Sequence, residues 1–227
     1  MLDRRFAAMI FDFDGVIVES TELKTEAFRA LFADRAGRIE AIVDLHRRHA
    51  GVDRFTKFEM IYRDILHEPL TASIRQDLGV RFAQLVEDAV TNCPMVPGAG
   101  ELLATLDRRM SMAVVSSTPQ RELERVVARR GLGRFFAAVR GSPPAKSEAV
   151  RALLEERGWT AANVLMVGDA AADLAAARTN GVAFIGRLTP GDPYPFSPEV
   201  PTVRDLTPLA ESARRLYATT QPQAATS

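Results

Sequence analysis

The sequence predicts an α/β protein: a doubly wound parallel sheet with a helical segment inserted after the first strand. Three observations predict it. Apolar runs of strand length, continuous rather than alternating, are separated by helical patterns, as expected of parallel strands covered on both faces. Roughly a hundred residues part the first two runs without a convincing strand, far more than one crossover helix needs. Several runs end in acids or hydroxyls, at the strand ends where open α/β sheets bind ligands.

The first strand is FAAMIFD, residues 6–12. Asp12 and Asp14 flank Phe13, so the two-residue period of a strand puts both acids on one side, and Gly15 lets the chain turn sharply afterwards. Two same-side carboxylates call for a cation. The alternative is that one caps a helix and the other serves a turn. Helical periodicity then runs from about residue 20 to 92, ends near Pro94 and Pro97, and gives way to a core helix opened by Gly98. We therefore expect a core domain of residues 1–18 and 94–217, a helical cap of residues 19–93 lying over the strand ends as a lid, and a disordered tail, 218–227.

Within the cap, Lys24 lies in the middle of the apolar face of STELKTEAFRALF. Arg54 falls inside the apolar arc of VDRFTKFEMIYRDIL, Lys57 at its edge, and Asp53 is placed to cap that helix. In the basic run LHRRHAG, His49 beside Gly51 is the better site candidate of the two histidines. Lys24, His49, Arg54 and Lys57 are thus candidate contacts to an anionic substrate. A snorkelling lysine and a solvated basic face are the ordinary alternatives.

The second strand, MSMAVVSS (110–117), ends in Ser116 and Ser117; the third, AAVRG (137–141), is followed by Lys146. The fourth, VLMVGD (164–169), runs into Asp169, and Asp173 shares a face with it if a helix opens there. The fifth is VAFIGR (182–187), whose Arg187 reads as a salt-bridge partner. Asp12, Asp14, Asp169 and Asp173 converge in this arrangement. Hard oxygen ligands without a nearby histidine or cysteine favour Mg²⁺. Hydroxyls at Ser116 and Ser117, backbone N–H groups and the Lys146 ammonium make a phosphate cradle. Taken singly, a strand-end serine is most often a helix cap and a loop lysine is most often solvated.

In order along the chain, DFDGV, VVSS, Lys146 and GDAAAD resemble the four motifs of the haloacid dehalogenase superfamily of phosphohydrolases, over roughly residues 6 to 187. The resemblance implies a Rossmann-like core under a helical cap and hydrolysis of a small phosphorylated metabolite of the sugar or polyol phosphate class. It implies that Asp12 is the nucleophile, forming an aspartyl phosphate, and that Asp14 is the general acid and base. Ser116 and Lys146 would hold the phosphoryl group. Asp169, with Asp173 in support, would hold Mg²⁺ beside Asp12 and the backbone carbonyl of Asp14. Val16 and Ile17 stand where the phosphatase form commonly has threonine, and Ser147 stands where proline often follows the lysine. Sugar phosphomutases of the family share DGVI but generally carry histidine where Lys24 stands. A phosphonate-cleaving relative would need a lid lysine placed for a Schiff base, and a phospho-receiver domain has no such insertion.

With 29 basic and 29 acidic residues the formal net charge is zero, which gives no electrostatic footprint for nucleic acid or membrane. Cys93 is the only cysteine, so no internal disulfide forms. No run approaches the roughly 18 apolar residues of a membrane span, and the stretch before Asp12 is too short for a secretory signal. The expectation is a cytoplasmic monomer or homodimer whose partner is a small phosphorylated metabolite.

Overall fold

The computed structural model describes residues 2–189 and 195–218. Six strands form one parallel sheet: β1 (Ala8–Phe11), β2 (Ser111–Pro119), β3 (Ala138–Ser142), β4 (Val164–Gly168), β5 (Ala183–Arg187) and β6 (Thr202–Val203). Their spatial order is β3-β2-β1-β4-β5-β6. The chain winds outward from β1 in one direction, then restarts at β4 on its other side. The order therefore reverses between β1 and β4, and a crevice opens at their carboxyl ends.

The continuous apolar runs have a simple cause: both faces of the sheet are covered. Met9 and Phe11 of β1 join one core with Met112, Val114, Leu165 and Val167, while Ala8 and Ile10 join the other with Ala113, Val115, Val164 and Met166. Helices α5 (Ala99–Leu106), α6 (Gln120–Arg129) and α9 (Thr207–Ala218) cover the first face; α7 (Lys146–Arg157) and α8 (Ala171–Thr179) cover the second. Phe11 pairs with both Val114 and Val167, so Asp12, Ser116 and Asp169, one or two residues further along, reach the same end of the sheet, while β2 itself runs on to Pro119.

Between β1 and β2 the chain is helical: α1 (Thr21–Leu31), α2 (Ile39–Arg48), α3 (Arg54–Met60) and α4 (Ala72–Asn92). Their interior is aromatic, with Phe28, Phe58 and Phe82 in mutual contact. The segments leaving and re-entering the core run side by side. Val18 bridges Met95, Glu19 N–H donates to the Pro94 carbonyl at 3.0 Å, and Val96 N–H to the Ile17 carbonyl at 3.0 Å. This confirms the α/β class with an inserted helical cap.

Some particulars differ from the sequence reading. The expected helix through VDRFTKFEMIYRDIL is α3 followed by a π turn, Ile61–Leu66, which ends at His67 in the left-handed region (φ 56°). Strand β6 is two residues long, too short to show any periodicity. Of the expected tail, Ala218 closes α9 and residues 219–227 lie outside the described ones. Among the described residues no helix is long and apolar enough to cross a membrane.

Candidate active site

The site forms where β1 stops. Asp12 N–H still donates into the ladder, to the Val167 carbonyl at 2.9 Å, which fixes the backbone while the side chain enters the crevice. One Asp12 oxygen accepts from Phe13 N–H at 2.6 Å, and the other accepts from Lys146 Nζ at 2.6 Å. Lys146 is the first residue of α7, and its ammonium also donates to Asp173 Oδ1 at 2.6 Å. The second Asp173 oxygen accepts from Ala170 N–H at 3.1 Å, tying the start of α8 to the same cluster. Burial opposes the charge on Lys146, but Asp12 and Asp173 outweigh it and raise the amine, so it stands as an ammonium.

Asp14 faces another way. Its Oδ1 accepts from Ser20 Oγ at 2.6 Å, and its Oδ2 lies 2.5 Å from Lys24 Nζ and accepts from Thr118 Oγ1 at 2.9 Å. Burial alone would raise this carboxyl, but the Lys24 ammonium, helped by Ser20 and Thr118, holds it down at about 2. Lys24 therefore points inward, as its helical position predicted. Its first partner is an acid of the core.

Asp12, Asp169 and Asp173 each place an oxygen within 4.8 Å of the others. The Asp14 carboxylate is not part of this trio, so any share of Asp14 in metal binding falls to its backbone carbonyl. Burial, with Asp173 and Asp14 adding repulsion, pushes Asp12 up to about 7 despite Lys146. Burial first, then Asp12 and Asp173, pushes Asp169 well above the ordinary carboxylate range. Two observations fit a magnesium ion here. Three hard carboxylates face one ammonium, so a divalent cation would relieve their repulsion. Beside Asp169 and Gly15, the Thr21 hydroxyl is buried without a hydrogen-bond partner among the described residues, a polar atom waiting for a ligand or its water. Gly15 itself adopts φ +72°, and any side chain there would run into the Asp169 carboxylate.

The loop carrying Gly15 is pinned by Arg187. That fully buried guanidinium donates to the Gly15 carbonyl at 3.1 Å and pairs with Glu19 at 2.6 Å. The salt bridge expected of Arg187 is present, and it holds the turn that brings Gly15 against Asp169.

A cavity of about 90 Å³ joins core and cap, lined on the core side by Asp12, Asp14, Ser116, Ser117, Lys146 and Asp169. Ser116 Oγ accepts from Thr118 N–H at 3.1 Å and lies 3.4 Å from Asp14. Ser117 uses its hydroxyl on the Gly51 carbonyl of the cap, so it joins the two parts of the molecule as well as lining the cavity.

On the cap side Lys24, His46, Arg54 and Lys57 line the cavity. Arg54 is committed to Glu122 of α6 at 2.7 Å and lies over the Phe82 ring. His49 requires correction: it is partly exposed past the end of α2 and does not line the cavity, whereas His46, one turn earlier, is buried in it. His49 is the C-cap of α2, where the backbone has left helical geometry (φ −106°, ψ 35°), so it does not share the inward face that His46 presents. Thr118, Glu122 and Thr21 also escaped sequence reasoning. A hydroxyl two residues past Ser116 and an acid in the first turn of α6 carry no pattern beyond what capping would give.

The family described as haloacid dehalogenase-like hydrolase matches residues 6–181. The phosphoglycolate phosphatase of Synechococcus elongatus is 29% identical over 188 residues, covering 77% of this chain and 80% of the relative. A 5′-nucleotidase of Pseudomonas aeruginosa is 29% identical over 188 residues, covering 80% of this chain and 82% of its own. Among solved structures, CbbY of Rhodobacter sphaeroides in complex with xylulose-1,5-bisphosphate superposes with a TM-score of 0.74 at 17% identity, covering 89% of this chain and 95% of that one.

Proposed function

Since the chain belongs to the haloacid dehalogenase-like hydrolase family, we propose that it is a phosphatase hydrolysing the phosphomonoester of a small phosphorylated metabolite, with Asp12 as nucleophile. One observation carries this reading: Asp12 is held by Lys146 and backed by Asp169 and Asp173 at the floor of the cavity that joins core and cap. Two curated relatives named as phosphatase or nucleotidase support the same class of reaction.

An Asp12 oxygen attacks phosphorus, and the bond from phosphorus to the ester oxygen breaks. Asp14 supplies the proton to the departing alkoxide. Water then attacks the aspartyl phosphate, Asp14 takes a proton from it, the bond from Asp12 to phosphorus breaks, and inorganic phosphate leaves. Lys146 and Ser116 hold the phosphoryl oxygens. Lys24 must loosen its hold before the leaving group departs, because beside the ammonium Asp14 is ionised, and only once that hold is relaxed can its carboxyl take up the proton that it passes to the alkoxide. Magnesium held by Asp12 and Asp169, with Asp173 in support, would offset the repulsion between carboxylate and phosphate dianion.

The test is phosphate release across a panel of phosphorylated metabolites, with Mg²⁺ and with chelator, for the wild type and Asp12→Asn. Loss of about 10³-fold or more in kcat is expected for the variant, and loss of turnover in chelator. A folded Asp12→Asn protein that keeps substantial activity would sink the mechanism. An isomerised sugar phosphate formed from a hexose 1-phosphate, in place of free phosphate, would make the enzyme a mutase.

A further inference from the structure

Four cationic side chains surround the cavity or close it, and three of them already have an anion. Lys146 lies on Asp12 and Asp173, Lys24 on Asp14, and Arg54 on Glu122. Lys57 differs. It is only 4% exposed, lines the cavity from the cap side, and has no carboxylate partner among the described residues. Its contacts are neutral: His46 Nδ1 at 3.1 Å, the His46 carbonyl at 3.3 Å, and the Phe28 ring at 5.7 Å. His46 completes the arrangement. Burial and the neighbouring Lys57 hold it down at about 2, so its imidazole is neutral and can accept a hydrogen bond from the amine without repelling it.

A buried ammonium without a counter-ion is costly, and no ion pair among the described residues offsets it here. Burial, then Lys24, accordingly pulls Lys57 down to about 7. With no carboxylate in ion-pair range among the described residues, the Lys57 amine is open to an anion carried by a molecule that enters the cavity. The phosphoryl group is already provided for at the floor by Lys146 and Ser116. Lys57 belongs to α3, in the roof.

We propose that the His46–Lys57 pair selects substrates bearing a second anionic group, a carboxylate or a second phosphate, on the part of the molecule that leaves. This rests on the phosphatase reading above and narrows its substrate class. His46 acts as a positioning residue, aiming the Lys57 amine, while Lys57 touches the substrate's second anion.

The test compares matched substrates by kcat/KM: 2-phosphoglycolate against ethyl phosphate, and a pentose 1,5-bisphosphate against the pentose 5-phosphate. The wild type is expected to favour the charged member of at least one pair by about tenfold or more, and the pair that responds tells carboxylate from phosphate. Lys57→Met should lower that ratio about tenfold, mainly through KM of the charged substrate, while Lys57→Arg retains part of it. A wild-type ratio near one, or a ratio unchanged in folded Lys57→Met, overturns the proposal. If Lys57→Met does not fold, the wild-type ratio alone decides. Failure of the phosphatase reading looks different: no member of either pair would release phosphate.

Discussion

At the scale of single residues, the site stores unrelieved charge, and its consequences are measurable without turnover. Asp169 sits with two other carboxylates around one ammonium. Asp169→Asn removes one member of that repulsion, so the metal-free variant should melt higher than metal-free wild type. Added Mg²⁺ should raise the wild-type Tm by a few degrees, following binding linkage, and leave Asp169→Asn unmoved. An equal Mg²⁺ shift in both proteins would contradict the assigned site. His46 makes the opposite case, a group kept neutral. Its folded value of about 2 lies below the ordinary 6.5, so between those values the unfolded chain binds the proton and the fold does not. Stability is therefore lost as pH falls below about 6.5, with a limiting slope of about 1.4 kcal/mol per pH unit. His46→Gln should flatten that fall in a urea midpoint series from pH 7.5 to 5, and an unchanged slope would reject the assignment.

At the scale of elements, the buried Arg54–Glu122 pair ties α3 of the cap to α6 of the core, at 6% and 7% side-chain exposure. Such a pair need not add net stability, since desolvating both ions offsets most of their attraction. Removing one partner is different, because the other is left buried and uncompensated. Glu122→Gln should cost about 3–5 kcal/mol in denaturant unfolding, while the double variant Arg54→Met/Glu122→Leu should recover most of it. If the double variant is as unstable as the single, the pair is a net stabiliser and not merely a register device. The same pair occupies Arg54, so of the two α3 candidates only Lys57 is without an ion pair among the described residues. The short antiparallel contact between residues 17–19 and 94–96 is another tie, and it brings both cap connections to one place beside Asp14.

At the scale of the whole molecule, the sequence and the structure divide the description between them. The sheet was legible because its strands are buried on both faces, and burial on both faces writes itself as unbroken apolar runs. The floor of the site was legible for a related reason. Asp12 and Asp169 directly follow β1 and β4, Ser116 lies near the end of β2 and Lys146 follows β3 by four residues, and parallel pairing brings these positions to one end of the sheet. Helical periodicity also placed Lys24 inward and Asp53 at a cap, where it accepts from Phe55 N–H at 3.0 Å. The hidden features depend on contacts between residues far apart in sequence. His46 rather than His49 faces the cavity, Thr118 reaches Asp14, Glu122 takes Arg54, and Ser117 holds Gly51. By itself the sequence determined the fold class, the cap as an insertion, and the set of chemical groups at the strand ends, because each is set by local pattern. Only the tertiary structure decided which cations of the cap are already paired with an acid and which one is not, because a charge's partner is chosen by packing across the cap and core interface.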